Sequence, residues 1–133
     1  MFLDLNNFKG IDDVYGHDAG DAVLQVISDR LRKSTRRDDT ICRHGGDEFL
    51  YLLVQISEEK DAAMIAKKLI CAIQAPCEIR VADASVRVDI GASIGIAISP
   101  KHGVDAESLV GRADAAMYEA KRSGSGYAFA LPV

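Results

Sequence analysis

The sequence has no apolar run approaching the roughly 20 residues that a membrane-spanning helix needs. Its opening "MFLDL" is far too short for the apolar centre of a signal peptide. Positive charge is not in excess: 16 Lys and Arg stand against 20 Asp and Glu, for a net charge of −4. A general nucleic-acid or anionic-membrane binder needs a basic face, so nucleic acid is not an expected partner. A single nucleotide is still compatible, because a metal ion reverses the local field. Cysteine is scarce and unpaired in pattern: Cys42, Cys71 and Cys77 form neither CxxC nor an even set. Free, reduced thiols and a cytoplasmic setting are the expectation. His17, His44 and His102 show no HExxH spacing and no Cys/His cluster, which argues against zinc. Repeats, low-complexity tracts and linkers are missing too, so residues 1–133 read as one domain. With 48% hydrophobic residues and 27% charged ones, it has the material for a core.

What is there is strongly periodic. "MFLDL" reads as the end of a strand. "DAVLQVISDRLRK" puts Val23, Ile27 and Leu31 on one helical stripe. "DDTICRH" and "EFLYLLVQI" flank Gly45 and Gly46 as a hairpin, and the run Phe49–Val54 suits a strand covered on both faces. Ser57 is the expected cap of a second helix, with Ala62, Ile65, Ala66, Leu69 and Ile73 as its apolar stripe. "EIRVADASVRVDIGASIGIAI" reads as two strands joined around Ala82–Ala84, the second long and glycine-punctuated. Asp105 caps a last helix bearing Leu109, Ala113, Met117 and Ala120; "KRSGSG" stops it and "YAFALPV" offers a final strand. The predicted order is β-α-β-β-α-β-β-α-β. The expected class is α+β, a ferredoxin-like or nucleotide-cyclase palm: a mixed, mostly antiparallel central sheet flanked by helices, gathered on one face.

Two acidic clusters sit at the ends of these strands. Asp4 closes the first, and Asp47 with Glu48 follows the glycine pair. If strand and hairpin are neighbours, two carboxylates approach each other and repel unless a cation lies between them. Magnesium meets that need with one or two carboxylates plus substrate phosphates, the composition of a phosphoryl- or nucleotidyl-transfer site. The plainer reading stands beside it: Gly-Gly between apolar runs also makes a tight turn, acids decorate turns, and acids after a strand cap helices.

"GGDEF" at 45–49, preceded by Arg43, together with "DLNNFKGIDDVYGHDAGD" at 4–21, resembles the GGDEF family of diguanylate cyclases. The first motif matches at Asp4, Leu5, Phe8, Lys9, Ile11, Asp13, Gly16, His17, Gly20 and Asp21. "ADAAMYEAKRSG" at 113–124 is similar to the family's last helix, so the resemblance spans nearly the whole chain. It implies a palm that condenses two GTP into cyclic di-GMP and pyrophosphate, working as a homodimer with Mg2+ or Mn2+. It implies Asp4, the Leu5 carbonyl and Asp47 as metal ligands, and Asp47, Glu48 and Lys9 as catalytic residues. Gly45, Gly46 and Lys121 would meet phosphate, while Asp12, His17 and Asp21 would lie at the guanine. Arg36 and Asp39 supply the family's RxxD pattern, an inhibitory product site, with five residues between Asp39 and Gly45. Read without the resemblance, "RRDD" is a solvated charge cluster near a helix end.

Three departures are visible. The family's guanine-contacting asparagine is Asp12 here, and an ionised aspartate accepts hydrogen bonds without donating any. Ser125 stands where a phosphate-binding arginine is usual; losing such a cation costs about 1.5–3 kcal/mol, or roughly tenfold to more than a hundredfold in binding. The family's D-x-L-T segment ahead of strand one has no counterpart, so the domain is expected to lack its N-terminal part. These departures keep an alternative open: a catalytically impaired module that binds GTP or cyclic di-GMP and regulates a covalently attached sensor or phosphodiesterase domain.

Overall fold

The computed structural model describes residues 1–132. The chain runs β1 (Phe2–Asn6), α1 (Phe8–Tyr15), α2 (His17–Ser34), β2 (Thr40–Gly45), β3 (Glu48–Leu52), α3 (Glu59–Gln74), β4 (Cys77–Val81), β5 (Ala84–Val88), β6 (Gly91–Ile96), α4 (Ala106–Ser123) and β7 (Tyr127–Phe129). Five strands form one sheet in the order β2-β3-β1-β6-β7, and β4-β5 make a separate hairpin. All neighbours in the large sheet are antiparallel except β6 and β7.

Strand β1 is the hub because its side chains alternate between two buried faces. Leu3 and Leu5 join Val23, Ile27 and Leu31 of α2, Ala66, Leu69 and Ile73 of α3, and Ile94 and Ile96 of β6 in the main core. Each fully buried Leu or Ile contributes about 1.5–3 kcal/mol. Phe2, on the opposite face, packs with Ala113 and Met117 of α4. Helices therefore cover both faces, correcting the expectation of one covered face. Gly95 makes the second layer feasible. A Cβ there would lie 1.8 Å from the Ala113 carbonyl oxygen and 2.3 Å from the Met117 nitrogen, so α4 rests on bare backbone.

Other expectations change in detail. An additional helix, α1, fills the acidic stretch after β1; Gly16, at φ 91°, breaks it from α2. Strand β3 ends at Leu52, which is exposed, while only Phe49 and Tyr51 of the run are fully buried. It ends there because the Val54 N–H is taken by the Asp39 carboxylate at 3.0 Å rather than by a strand. The cap of α3 is Glu58, not Ser57: the Glu58 N–H donates to Asp61 Oδ2 at 3.0 Å. The long strand after Ala84 is two strands, β5 bonded to β4 and β6 bonded to β1. Asp105 caps α4 as expected, accepting from the Ser108 N–H at 2.8 Å.

Candidate functional site

The tip of the β2–β3 hairpin lies against the end of β1. Asp4 is the register partner of Glu48, and the Leu5 N–H donates to the Asp47 carbonyl at 3.0 Å. A two-residue turn, Gly46-Asp47, closes the hairpin with Gly46 at φ 33°, a conformation that suits glycine. Arg43 staples it by donating Nε to the Gly46 carbonyl at 2.9 Å. Around Gly45 and Gly46 the space is open: a Cβ on either would meet nothing within 4 Å.

Three charged side chains converge at this tip. Asp4, its side chain only 11% exposed, accepts from Lys121 Nζ at 2.7 Å. Lys121 reaches in from the last turn of α4. Burial, and then the Asp4 charge, push the Asp47 carboxyl above the usual range. The hydrogen bond to Asp4 raises the Lys121 ammonium, reinforced by the charges of Asp4, Asp47 and Glu48. Mutual repulsion between two acids, relieved in part by one lysine, is the electrostatic condition that a hard cation relieves further. Among the described residues no group of three or more His, Cys, Asp or Glu gathers as a metal cage. A pair of carboxylates suits Mg2+ or Mn2+ completed by phosphate and water, and it does not suit a closed structural site.

The other expected residues lie elsewhere. His17 Nδ1 is 3.1 Å from the Asp12 carboxylate at the α1–α2 junction, and the imidazole is 92% exposed. Gly20 permits this arrangement, since a Cβ there would sit 2.5 Å from Asp12 Oδ1. Lys9 and Asp21 are exposed on α1 and α2. Arg36 and Asp39 come together before β2, at the far end of that strand from the glycines, roughly 20 Å away by strand rise. Asp39, its side chain 1% exposed, is bonded by Arg36 Nε, by Arg36 Nη2 at 3.0 Å and by the Val54 N–H. Arg36 Nη2 also donates to the Val54 carbonyl at 2.8 Å. This arginine, first among the causes, holds the Asp39 carboxyl below the usual range. The adjoining recess of about 140 Å3 is smaller than ordinary ligand pockets. An apolar groove of about 740 Å3, lined by Leu50, Leu52, Ile56, Ala97, Leu109 and Val110, contains none of the expected site residues.

Sequence reasoning gave no role to Arg43, Asn6 or Ser93. Ser93 of β6 is buried, stands opposite Asp4 in register, and donates to Asn6 Oδ1 at 3.2 Å. Asn6 was findable from the two-residue strand period, which puts it on the face of Asp4. Ser93 needed the strand pairing. Ser125 Oγ, at the position noted as lacking the usual arginine, is 3.1 Å from Ser123 Oγ and donates to the Tyr127 carbonyl at 3.1 Å.

Comparison with known proteins gives concordant results. The family described as "Diguanylate cyclase, GGDEF domain" matches residues 1–126. The chain is 45% identical over 130 residues to the bifunctional diguanylate cyclase/cyclic di-GMP phosphodiesterase MucR of Pseudomonas aeruginosa, covering 97% of this chain and 18% of that protein. It thus spans under a fifth of that relative's length. The solved GGDEF domain of TpbB (YfiN) from the same organism superposes with a TM-score of 0.89 at 42% identity, covering 98% of this chain and 74% of that one. The GGDEF domain of DgcB from Caulobacter crescentus, solved in complex with c-di-GMP, gives 0.81 at 26% identity, with 97% and 74% covered.

Proposed function

Because the chain belongs to the GGDEF family of diguanylate cyclase domains, we propose that it condenses two GTP molecules into cyclic di-GMP and two pyrophosphates. The observation that carries this reading is the convergence of Asp4, Asp47 and Lys121 at the hairpin tip. In each half-reaction a ribose 3′-oxygen bonds to the α-phosphorus of the other GTP. The bond from that phosphorus to the bridging oxygen breaks, and pyrophosphate leaves with the electron pair. Asp47, at the hairpin tip beside Asp4, is the proposed acceptor of the 3′-hydroxyl proton. Asp4, the Leu5 carbonyl and Asp47 would hold Mg2+ or Mn2+, which neutralises phosphate charge when bound. Lys121 and Lys9 add positive charge for the phosphates, with Glu48 beside them at the tip. The open backbone at Gly45 and Gly46 leaves room for the triphosphate. Asp12, His17 and Asp21 are the proposed guanine contacts, each GTP being held by one copy of a homodimer.

A second reading is favoured by specific residues. Asp12 is engaged with His17, and Ser125 supplies no cation. These features suit an impaired module that binds GTP or cyclic di-GMP and regulates an attached domain. Arg36 and Asp39 are the proposed product site in either case, and the setting is proposed to be cytoplasmic. Among the described residues no helix is long and apolar enough to cross a membrane.

One assay separates the readings. The full-length protein is incubated with GTP and Mg2+, beside an Asp47→Ala control. Cyclic di-GMP formed by wild type and lost in the variant supports the cyclase. No product, together with tight cyclic di-GMP binding, supports the module.

A further inference from the structure

We propose that Lys121 is the resident counter-ion of Asp4 in the nucleotide-free protein, and that a divalent cation entering between Asp4 and Asp47 displaces it. The inference rests on the metal-site reading above. An ionised carboxylate buried to 11% exposure needs a partner. The only ion pair that Asp4 makes among the described residues is the 2.7 Å contact with Lys121 Nζ. The ammonium therefore holds the position that a metal ligated by Asp4 would claim. A dication at about 2.0–2.1 Å attracts a carboxylate oxygen more strongly than an ammonium at 2.7 Å, so the exchange favours the metal once it is dehydrated.

The chemistry of this lysine suits it for leaving. Its side chain is 48% exposed, on a flexible four-carbon stem, and among the described residues nothing else bonds its amine. The neighbouring Arg122 is instead committed to Glu119 in a bidentate pair. Lys121 springs from the last turn of α4, which rests on Gly95 a turn earlier, so a rotamer change suffices to move the amine. Once released it stays beside the metal's oxygen ligands, where a bound triphosphate would lie. One residue thus neutralises Asp4 while the site is vacant and phosphate when it is filled. A further consequence is that metal affinity stays low until nucleotide arrives to accept the displaced lysine.

The test uses Mn2+ alone, without nucleotide, titrated into the wild-type chain, Lys121→Met and Asp47→Asn, with binding read by paramagnetic resonance of free Mn2+. Removing the competitor should tighten Mn2+ binding in Lys121→Met by roughly three- to tenfold. Unchanged or weaker binding in that variant, with Asp47-dependent binding in wild type, overturns the exchange and leaves the metal site standing. Mn2+ binding that Asp47→Asn does not alter removes the metal site and the exchange with it. Wild-type protein gives an independent measure if Lys121→Met folds poorly. Acylation of Lys121 by a succinimidyl ester, followed by mass spectrometry, should rise several-fold on adding Mn2+ and stay flat in Asp47→Asn. Labelling unaffected by Mn2+ overturns the proposal.

Discussion

Asp39 has two possible employments, and only one needs a ligand. Its carboxylate already binds Arg36 and the Val54 N–H, tying the entry of β2 to the segment that follows β3. Asp39→Ala should therefore cost about 1–3 kcal/mol in urea denaturation without any nucleotide present, because buried partners lose their acceptor. Loss of product inhibition in such a variant has to be read beside that stability change. The same carboxyl has a pH signature. Its folded pKa is depressed, chiefly by the Arg36 hydrogen bond. The unfolded chain then takes up the proton first. The stabilisation is complete above the ordinary aspartate value of about 3.9 and is lost as pH falls through the lower folded value. Asp39→Asn should flatten that part of the acid stability curve relative to wild type, as measured by thermal melts between pH 2 and 5.

Elements differ in how plainly they were written in the sequence. The stripes of α2, α3 and α4 were legible because Val23, Ile27, Leu31, Ala66, Leu69, Ile73, Ala113 and Met117 recur at helical spacing and all are buried. Helix α1 was not, because Ile11 is its one buried residue and Lys9, Gly10, Asp12 and Asp13 interrupt any apolar stripe. The division between β5 and β6 was hidden for another reason. Val86, Val88, Ile90, Ala92 and Ile94 continue one alternation across a change of hydrogen-bonding partner. The candidate site was half legible: motif strings offered Asp4 and Asp47, while the contact of Asp4 with Lys121, 117 residues away in sequence, needed the packing of α4. That packing has its own test. Gly95→Ala drives a methyl into the backbone of α4 and should cost about 3 kcal/mol in urea denaturation. Gly20→Ala meets only the movable Asp12 and Phe8 side chains, so it should cost less and act mainly on nucleotide binding.

At the scale of the whole molecule, strand order separates two sets of residues. The tip of the β2–β3 hairpin carries Asp47, and its base carries the Arg36–Asp39 pair. The candidate site gathers on a single chain, yet the proposed reaction joins two GTP molecules. Specific activity should consequently fall on dilution as protomers separate. Adding Asp47→Ala chains in equal amount should lower the output per wild-type chain, because mixed pairs hold only one competent half. Activity independent of both concentration and the added variant would contradict catalysis across two copies.

The seating of α4 on Gly95 also has a mechanical side. The contact lies at Ala113 and Met117, and Lys121 sits one turn beyond, about 6 Å along the axis. Pivoting the helix there by about 10° swings its end by about 1 Å, a displacement of the size that can alter reaction rates a hundredfold. Whatever pushes on the outer surface of α4, whether a tethered neighbour or an engineered clamp, has a short crank leading to the amine beside Asp4.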